Sequence, residues 1–316
     1  MKRILHIFRQ ITALFTGILL LFSCIKEDTS ECIGEVRVYF SYSPQTIHPA
    51  DVDRMHLYVF SHNGYFVGEY RDNFISGFNA DYFIDCSDLL PGSYRFIAWG
   101  GKDERYYATS PTPFVTGQTT FDEALLMLEH SGNTLSTPVH HIFHSDLSAT
   151  VLTTLMPQRF YMPLAQLSNT INISTVGLSP QDGVFTFRIT DTNCTYTFDR
   201  SFASHDHEPF TYMAPCTKDN ENQLHSTLNV LRLAANRRTP QLQIINETTG
   251  VPLYPVGAHS GDLIGLILSA TPNNNFDVTH TYDIVLTFTG DESTGFDVEI
   301  SVNGWKVNKG ETVLID

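Results

Sequence analysis

Positive charge is scarce in this sequence: 19 lysines and arginines stand against 34 aspartates and glutamates, a formal charge of −15. Phosphates would be repelled by such a chain, so nucleic acid is not an expected partner. Charged residues of both signs together reach only 17 %, against about 25 % in an average domain. None of the five cysteines falls in a Cys-x-x-Cys pair, so neither a zinc ribbon nor a dithiol redox motif is indicated. A Gly-x-Ser-x-Gly elbow, a phosphate loop, a dinucleotide fingerprint and a His-Glu-x-x-His pair are also missing. No enzyme activity, cofactor or metal is therefore expected. After residue 22 the longest apolar run is Leu263 to Ala270, far short of the roughly 20 residues that cross a bilayer as a helix.

Aromatic residues, by contrast, are plentiful: 22 Phe and 14 Tyr, with only two Trp. The N-terminus is also distinctive. Lys2, Arg3 and Arg9 precede an apolar stretch from Ile11 to Phe22, and no acid occurs before Glu27. This is the layout of a signal peptide. The stretch ends in Leu21-Phe22-Ser23-Cys24, which reads as a lipoprotein box despite the bulk of Phe22. Residues 1–23 are then removed between Ser23 and Cys24, and the Cys24 thiol carries a diacylglyceryl group. Further acylation, with palmitate as one such chain, holds the protein on a membrane more firmly than a single chain would. Loss of the three basic residues takes the formal charge to −18. Residues 24–34 form a polar, acidic tether. Within it Lys26-Glu27-Asp28 resembles a Bacteroidota signal that sends lipoproteins to the outer face of the outer membrane.

Four cysteines remain, Cys32, Cys86, Cys194 and Cys216, in an oxidising compartment. Four cysteines allow three pairings. Cys32–Cys86 and Cys194–Cys216 keep each bridge inside one domain; free buried thiols are the alternative.

The body of the chain reads as strands and turns. Val36 to Phe40 has period-two patterning, and His56 to Phe60 leads through Asn63-Gly64 to Tyr65-Phe66-Val67, a hairpin with a type I′ turn. Tyr82 to Ile84, Ser93 to Trp99, Thr170 to Thr175, Val184 to Thr190, Thr195 to Phe198, Leu228 to Leu233, Gln241 to Ile245, Thr281 to Phe288, Phe296 to Val302 and Thr312 to Ile315 continue the pattern. Phe121, Ala124, Leu125 and Leu128 fall at helical spacing, with Asp122-Glu123 as an acidic first turn. Asp262 to Ala270 is either a second short helix or a buried strand. This frequency of strands and turn signals predicts an all-β fold of two β-sandwich domains in tandem, 35–165 and 166–316, with one or two short helices. His140, His141 and His144 lie close together, and His205-Asp206-His207-Glu208 is a second polar cluster; both read as loop. Trp99 and Trp305 are expected in the core rather than as platforms for sugar rings.

Several blocks then resemble a known family. They are Cys24, the Cys32 ahead of Val36-Arg37-Val38-Tyr39-Phe40, and Leu57-Tyr58-Val59-Phe60 with Asn63-Gly64. Next comes the longest, Leu90-Pro91-Gly92-Ser93-Tyr94-Arg95-Phe96-Ile97-Ala98-Trp99-Gly100-Gly101. Tyr282 to Phe288 and Ile300-Ser301-Val302-Asn303-Gly304-Trp305 follow in order. Together they resemble the fimbrillin-A-associated anchor proteins, the FimB-type minor fimbrial subunits of Bacteroidales. Gly34 departs from the pattern by following Ile33 where proline is common after the cysteine.

The resemblance implies two transthyretin-like sandwiches and a lipoprotein at the base of a fimbrium, anchored in the outer membrane and exposed at the surface. It also implies joining to a fimbrillin-like shaft subunit by β-strand addition. Shaft subunits open their groove when a protease cuts after an early arginine. Here that arginine is Arg37, inside a predicted strand, so the N-terminal strand is expected to stay and the lipid with it. Val302 to Asp316 is then the candidate donor strand. A subunit that donates but does not accept ends polymerisation. The alternative is a surface glycan-binding lipoprotein serving an outer-membrane transporter, which requires an exposed aromatic platform. A lipid-anchored hydrolase requires a convergent polar cleft.

Overall fold

The computed structural model describes residues 34–42, 51–129, 132–136, 139–178, 182–203, 208–257, 260–291 and 295–307. The chain is all-β, with one short helix among the described residues. Two sheets use only its first half. One is ordered β10 (Gln158–Pro163), β1 (Val36–Ser41), β4 (Phe83–Asp85). The other is ordered β11 (Ala165–Gln166), β9 (Phe143–Val151), β5 (Gly92–Gly100), β2 (Met55–Ser61), β3 (Phe66–Asp72).

Strand pleating explains why β2 and β5 read as nearly continuous apolar runs. Successive side chains point to opposite faces, and here both faces are covered. Met55, Leu57 and Val59 of β2, with Phe96 and Ala98 of β5, join Val36, Val38 and Phe40 of β1 in one core. Tyr58 and Phe60, with Ile97 and Trp99, enter a second core that continues through the C-terminal half. The two halves therefore share packing rather than hanging on a linker.

The segment between β5 and β9 strengthens that link. β6 (Tyr107–Ser110) and β7 (Leu125–Leu128) form a three-stranded sheet with β14 (Thr195–Thr197). β8 (Thr134–Leu135) adds in parallel to β15 (Phe210–Pro215). The helix expected over Phe121 to Leu128 is thus a turn followed by a strand. Leu126 and Leu128 are buried while Leu125 and Met127 are half-buried, a period of two. A short apolar run does not separate the two periods, and pairing on both edges of β7 favours the strand. Asp122 and Glu123 lie in that turn.

The second half holds a six-stranded sheet ordered β16 (Thr217–Lys218), β17 (Leu224–Leu231), β12 (Ser168–Val176), β20 (Thr281–Asp291), β21 (Gly295–Val302), β22 (Trp305–Lys306). A five-stranded sheet faces it: β19 (Val251–Tyr254), β18 (Gln241–Asn246), β13 (Phe185–Asp191), then β15 and β8. Helix α1 (Leu263–Ala270) resolves the ambiguous apolar run. Asp262 caps it by accepting from the Gly265 N–H at 2.8 Å, and Leu263, Ile264, Leu266 and Ile267 are buried.

The Asn-Gly turns exchange roles. At Asn63-Gly64 only Gly64 has positive φ (80°), and Gly64 N–H donates to Ser61 O at 2.8 Å. That is a turn closed by a single left-handed glycine, not a type I′ turn. The two-residue I′ geometry lies at Asn303 (φ 51°) and Gly304 (φ 80°), which join β21 to β22.

Among the described residues Cys86, Cys194 and Cys216 form no disulfide, and Cys32, the expected partner of Cys86, lies outside them. The expected Cys194–Cys216 bridge is corrected by strand register. β13 and β15 pair from Thr186↔Pro215 to Asp191↔Phe210, so Cys194 and Cys216 leave opposite ends of that pair. The separation is roughly 17 Å or more at about 3.4 Å per residue, whereas a disulfide needs Cα atoms within about 7 Å.

His144 on β9 is buried against Trp99, with ring centroids 4.7 Å apart, and its Nε2–H donates to the Phe198 carbonyl at 2.9 Å. Burial pushes its pKa down from 6.5 to about 4. Between those values the unfolded chain binds more protons, so stability falls as pH drops through the window, by about 3 kcal/mol in all. Urea midpoints from pH 7 to pH 4 should show this slope, and His144→Gln should flatten it; parallel slopes would contradict the assignment.

Candidate functional site

β1 carries Arg37, the residue on which the expectation of strand exchange turns. Val36, Val38 and Phe40 point inward with at most 1 % of their surface exposed. Burial of three such side chains contributes roughly 5–9 kcal/mol. The main chain is paired on both edges. β10 runs parallel along all six residues, from Val36↔Gln158 to Ser41↔Pro163, and β4 pairs antiparallel with Arg37, Val38 and Tyr39. The ends are tied as well. Val36 N–H donates to Ser87 Oγ at 3.0 Å, Cys86 N–H to Val36 O at 2.8 Å, and Leu164 N–H to Ser41 O at 2.8 Å.

The outward face is capped by aromatic rings. The Arg37 guanidinium sits 4.5 Å from the Phe83 ring centroid and pairs with Glu35 at 2.9 Å. Tyr39 stacks on Tyr161 at 5.3 Å. The parallel β1–β10 pairing joins segments some 120 residues apart (Val36 to Gln158), which no local pattern in the sequence signals. A protease needs an extended, unpaired stretch around its target bond, and both peptide bonds of Arg37 lie inside the sheet. An arginine-specific protease acting on the folded protein should leave Arg37 uncut while cleaving loop arginines; mass analysis of the N-terminal fragment checks this.

The C-terminal side of the candidate site is only partly described. β22 is an edge strand, and Lys306 Nζ pairs with Glu299 at 2.9 Å. Trp305 is 65 % exposed, which corrects the expectation of core packing, whereas Trp99 is fully buried. The donor candidate beyond residue 307 lies outside the described residues, as do Ser23, Cys24 and Cys32. Among the described residues no helix is long and apolar enough to cross a membrane.

The histidine clusters separate. His141 Nδ1 lies 2.8 Å from Ser168 Oγ, His140 stacks on Tyr106 at 5.3 Å, and His144 is buried elsewhere. His205, Asp206 and His207 lie outside the described residues. No group of three potential metal ligands converges among the described residues.

Comparison with known proteins agrees with this architecture. The fimbrial anchor protein Mfa2 from Porphyromonas gingivalis superposes with a TM-score of 0.69 at 20 % identity, covering 87 % of this chain and 99 % of that one. A Bacteroides thetaiotaomicron protein proposed to bind polysaccharide gives 0.70 at 19 % identity, covering 86 % and 97 %. A Bacteroides ovatus protein proposed to be an adhesin gives 0.67 at 19 %, covering 87 % and 94 %. At these identities the likeness establishes the fold. No curated protein matches in sequence. A family profile, however, spans residues 29–309, and its description is "Fimbrillin-A associated anchor proteins Mfa1 and Mfa2". On that match the chain belongs to the fimbrillin-A associated anchor proteins.

Proposed function

We propose that the protein is an outer-membrane lipoprotein that anchors a fimbria to the cell surface and ends its polymerisation by strand exchange with a fimbrillin-like shaft subunit. Cys24 carries the lipid, and the C-terminal segment, Val302 to Asp316, supplies the donor strand. The observation that carries this reading is β1, which is held on both edges and buried along its inner face. A subunit whose own strand fills its groove has nothing to accept with, so polymerisation stops at it. The β20–β21 hairpin and the turn at Asn303-Gly304 bring the chain to a sheet edge shortly before the C-terminus, a suitable place from which to donate.

Deleting Glu311 to Asp316 is expected to release fimbriae into the medium while leaving the lipoprotein in the membrane. Fimbriae that remain cell-bound after the deletion would refute the donor assignment. A pull-down from detergent-solubilised outer membranes, run unheated on a denaturing gel, should give a high-mass ladder that collapses on boiling and contains a fimbrillin-like partner. A single band accompanied only by a transporter would favour glycan capture instead.

A further inference from the structure

The chain enters the fold at one pole of the first sandwich, and that pole carries a cluster of exposed apolar side chains, with the acids Glu35 and Asp88 at its rim. Gly34 N–H donates to Thr154 O at 2.5 Å. A side chain at Gly34 would stand 2.5 Å from the Met156 carbonyl oxygen, so the entering strand lies directly on the β9–β10 loop. That loop displays Leu152, Leu155 and Met156, which are 58 %, 71 % and 73 % exposed. Leu90, 68 % exposed, leaves the same end of the sheet, because Gly92 pairs with Val151. Four of the 13 large apolar side chains exposed among the described residues thus gather here.

The loop is built rather than loose. The Gln158 side-chain amide brackets it, accepting from Leu152 N–H at 2.8 Å and donating to Leu152 O at 3.1 Å. Tyr94 OH donates to Leu90 O at 2.8 Å and fixes the neighbouring turn. Main-chain polar groups are therefore partly satisfied from within, as an apolar medium requires. No charged side chain occurs from Leu147 to Gln158 or from Leu89 to Ser93, in a chain of formal charge −15.

We propose that this pole docks on the lipid surface, with Leu152, Leu155, Met156 and Leu90 seated at the headgroup–acyl boundary. The proposal rests on lipidation of Cys24. The tether sets the geometry: Gly34 is ten residues beyond Cys24, a reach of at most roughly 36 Å, and the chain ends that reach on the loop itself. The route to the six-stranded sheet leaves from the other end, since β10 runs parallel to β1 and exits beside Ser41. The sandwich then stands on its apolar pole with the C-terminal half directed away from the membrane.

The test uses the lipidated full-length protein reconstituted in phosphatidylethanolamine–phosphatidylglycerol vesicles, with and without lipids brominated near the acyl-chain boundary. Leu155→Trp adds an exposed reporter, read as the difference from the wild-type chain. About half of the added emission should be lost to bromolipid, because interfacial side chains sit roughly 5–10 Å into that boundary. An unquenched reporter on a chain whose N-terminal peptide carries acyl groups by mass spectrometry overturns docking and leaves the lipoprotein reading intact. A chain without acyl groups ends both. A reporter whose emission is already blue-shifted in lipid-free Cys24→Ser protein means that residues 25–33 cover the loop, and this too overturns the proposal.

Discussion

Val38→Asp is expected to unfold the first sandwich. Val38 is fully buried at the centre of β1, between β10 and β4. A carboxylate there has apolar neighbours, Phe40, Ile84 and Phe96 among them, in the same core. Burial of an unpaired charge belongs to the small class of substitutions costing more than about 4 kcal/mol, a large share of the roughly 5–15 kcal/mol that holds a domain together. Arg37→Ala, one residue away on the outward face, should cost far less, because its pair with Glu35 is partly open to solvent. Urea unfolding compares the two. Proteolysis adds a functional readout, since release of β1 in Val38→Asp should open Arg37 to an arginine-specific protease and so separate the fold from the residues before Val38. A Val38→Asp chain that melts with the wild type and resists cleavage would show that β1 is dispensable.

Phe198→Ala should give the second largest loss. Phe198 follows β14 in sequence, yet its ring lies among groups of the first half: Tyr58 at 5.0 Å, Phe114 at 5.3 Å, Trp99 at 5.8 Å and Phe60 at 5.9 Å between centroids. Its carbonyl also receives the His144 Nε2–H. Truncation leaves a cavity where the two halves interlock, and large-to-small changes of this kind cost about 3–5 kcal/mol. The cost falls on the joint, so calorimetry should resolve two transitions in place of one. A cycle with Trp99→Ala should give a coupling of about 0.5–3 kcal/mol, as neighbours in contact do. One transition at the wild-type temperature would mean that the halves do not depend on this contact.

How much of this was legible in the sequence depended on how local the cause was. Strand patterning acts over a few residues, and β2, β5, β12, β13, β20 and β21 follow the sequence reading closely, whereas β3 runs on to Asp72, well past the expected Val67. Burial of β2 on both faces was visible only as an unbroken apolar run; the second covering layer is supplied by residues more than 50 positions away, such as Phe114 and Phe198. β7 was misread because four apolar residues fit either period, and its two partners decide the matter. The Cys194–Cys216 pairing failed for a related reason: a shared domain placed the two cysteines together, and strand register set them apart. Trp305 looked like core because it follows an apolar strand, but the I′ turn at Asn303-Gly304 carries it to an edge. Within the candidate site Arg37 was correctly seen inside a strand, while the β10 partner that makes this strand central was not foreseeable.

The placement of β1 also decides how the molecule bears tension. On the proposed reading, a fimbria dragged by flow would pull on the C-terminal half, while a lipid on Cys24 would hold the chain at Gly34. The chain passes from the first sandwich to the second beside Ser41, at the opposite end of β1 from Gly34. The load therefore runs along the strand rather than across it. Drawing β1 out means sliding it past β10 and β4 together, so its lateral main-chain bonds are strained in concert and Val38 and Phe40 must be dragged from their sockets at the same moment. An edge strand peeled sideways would give way one bond at a time. What matters under such a load is the rate of forced unfolding, not equilibrium stability. On that reading β1 is the mooring line of the appendage.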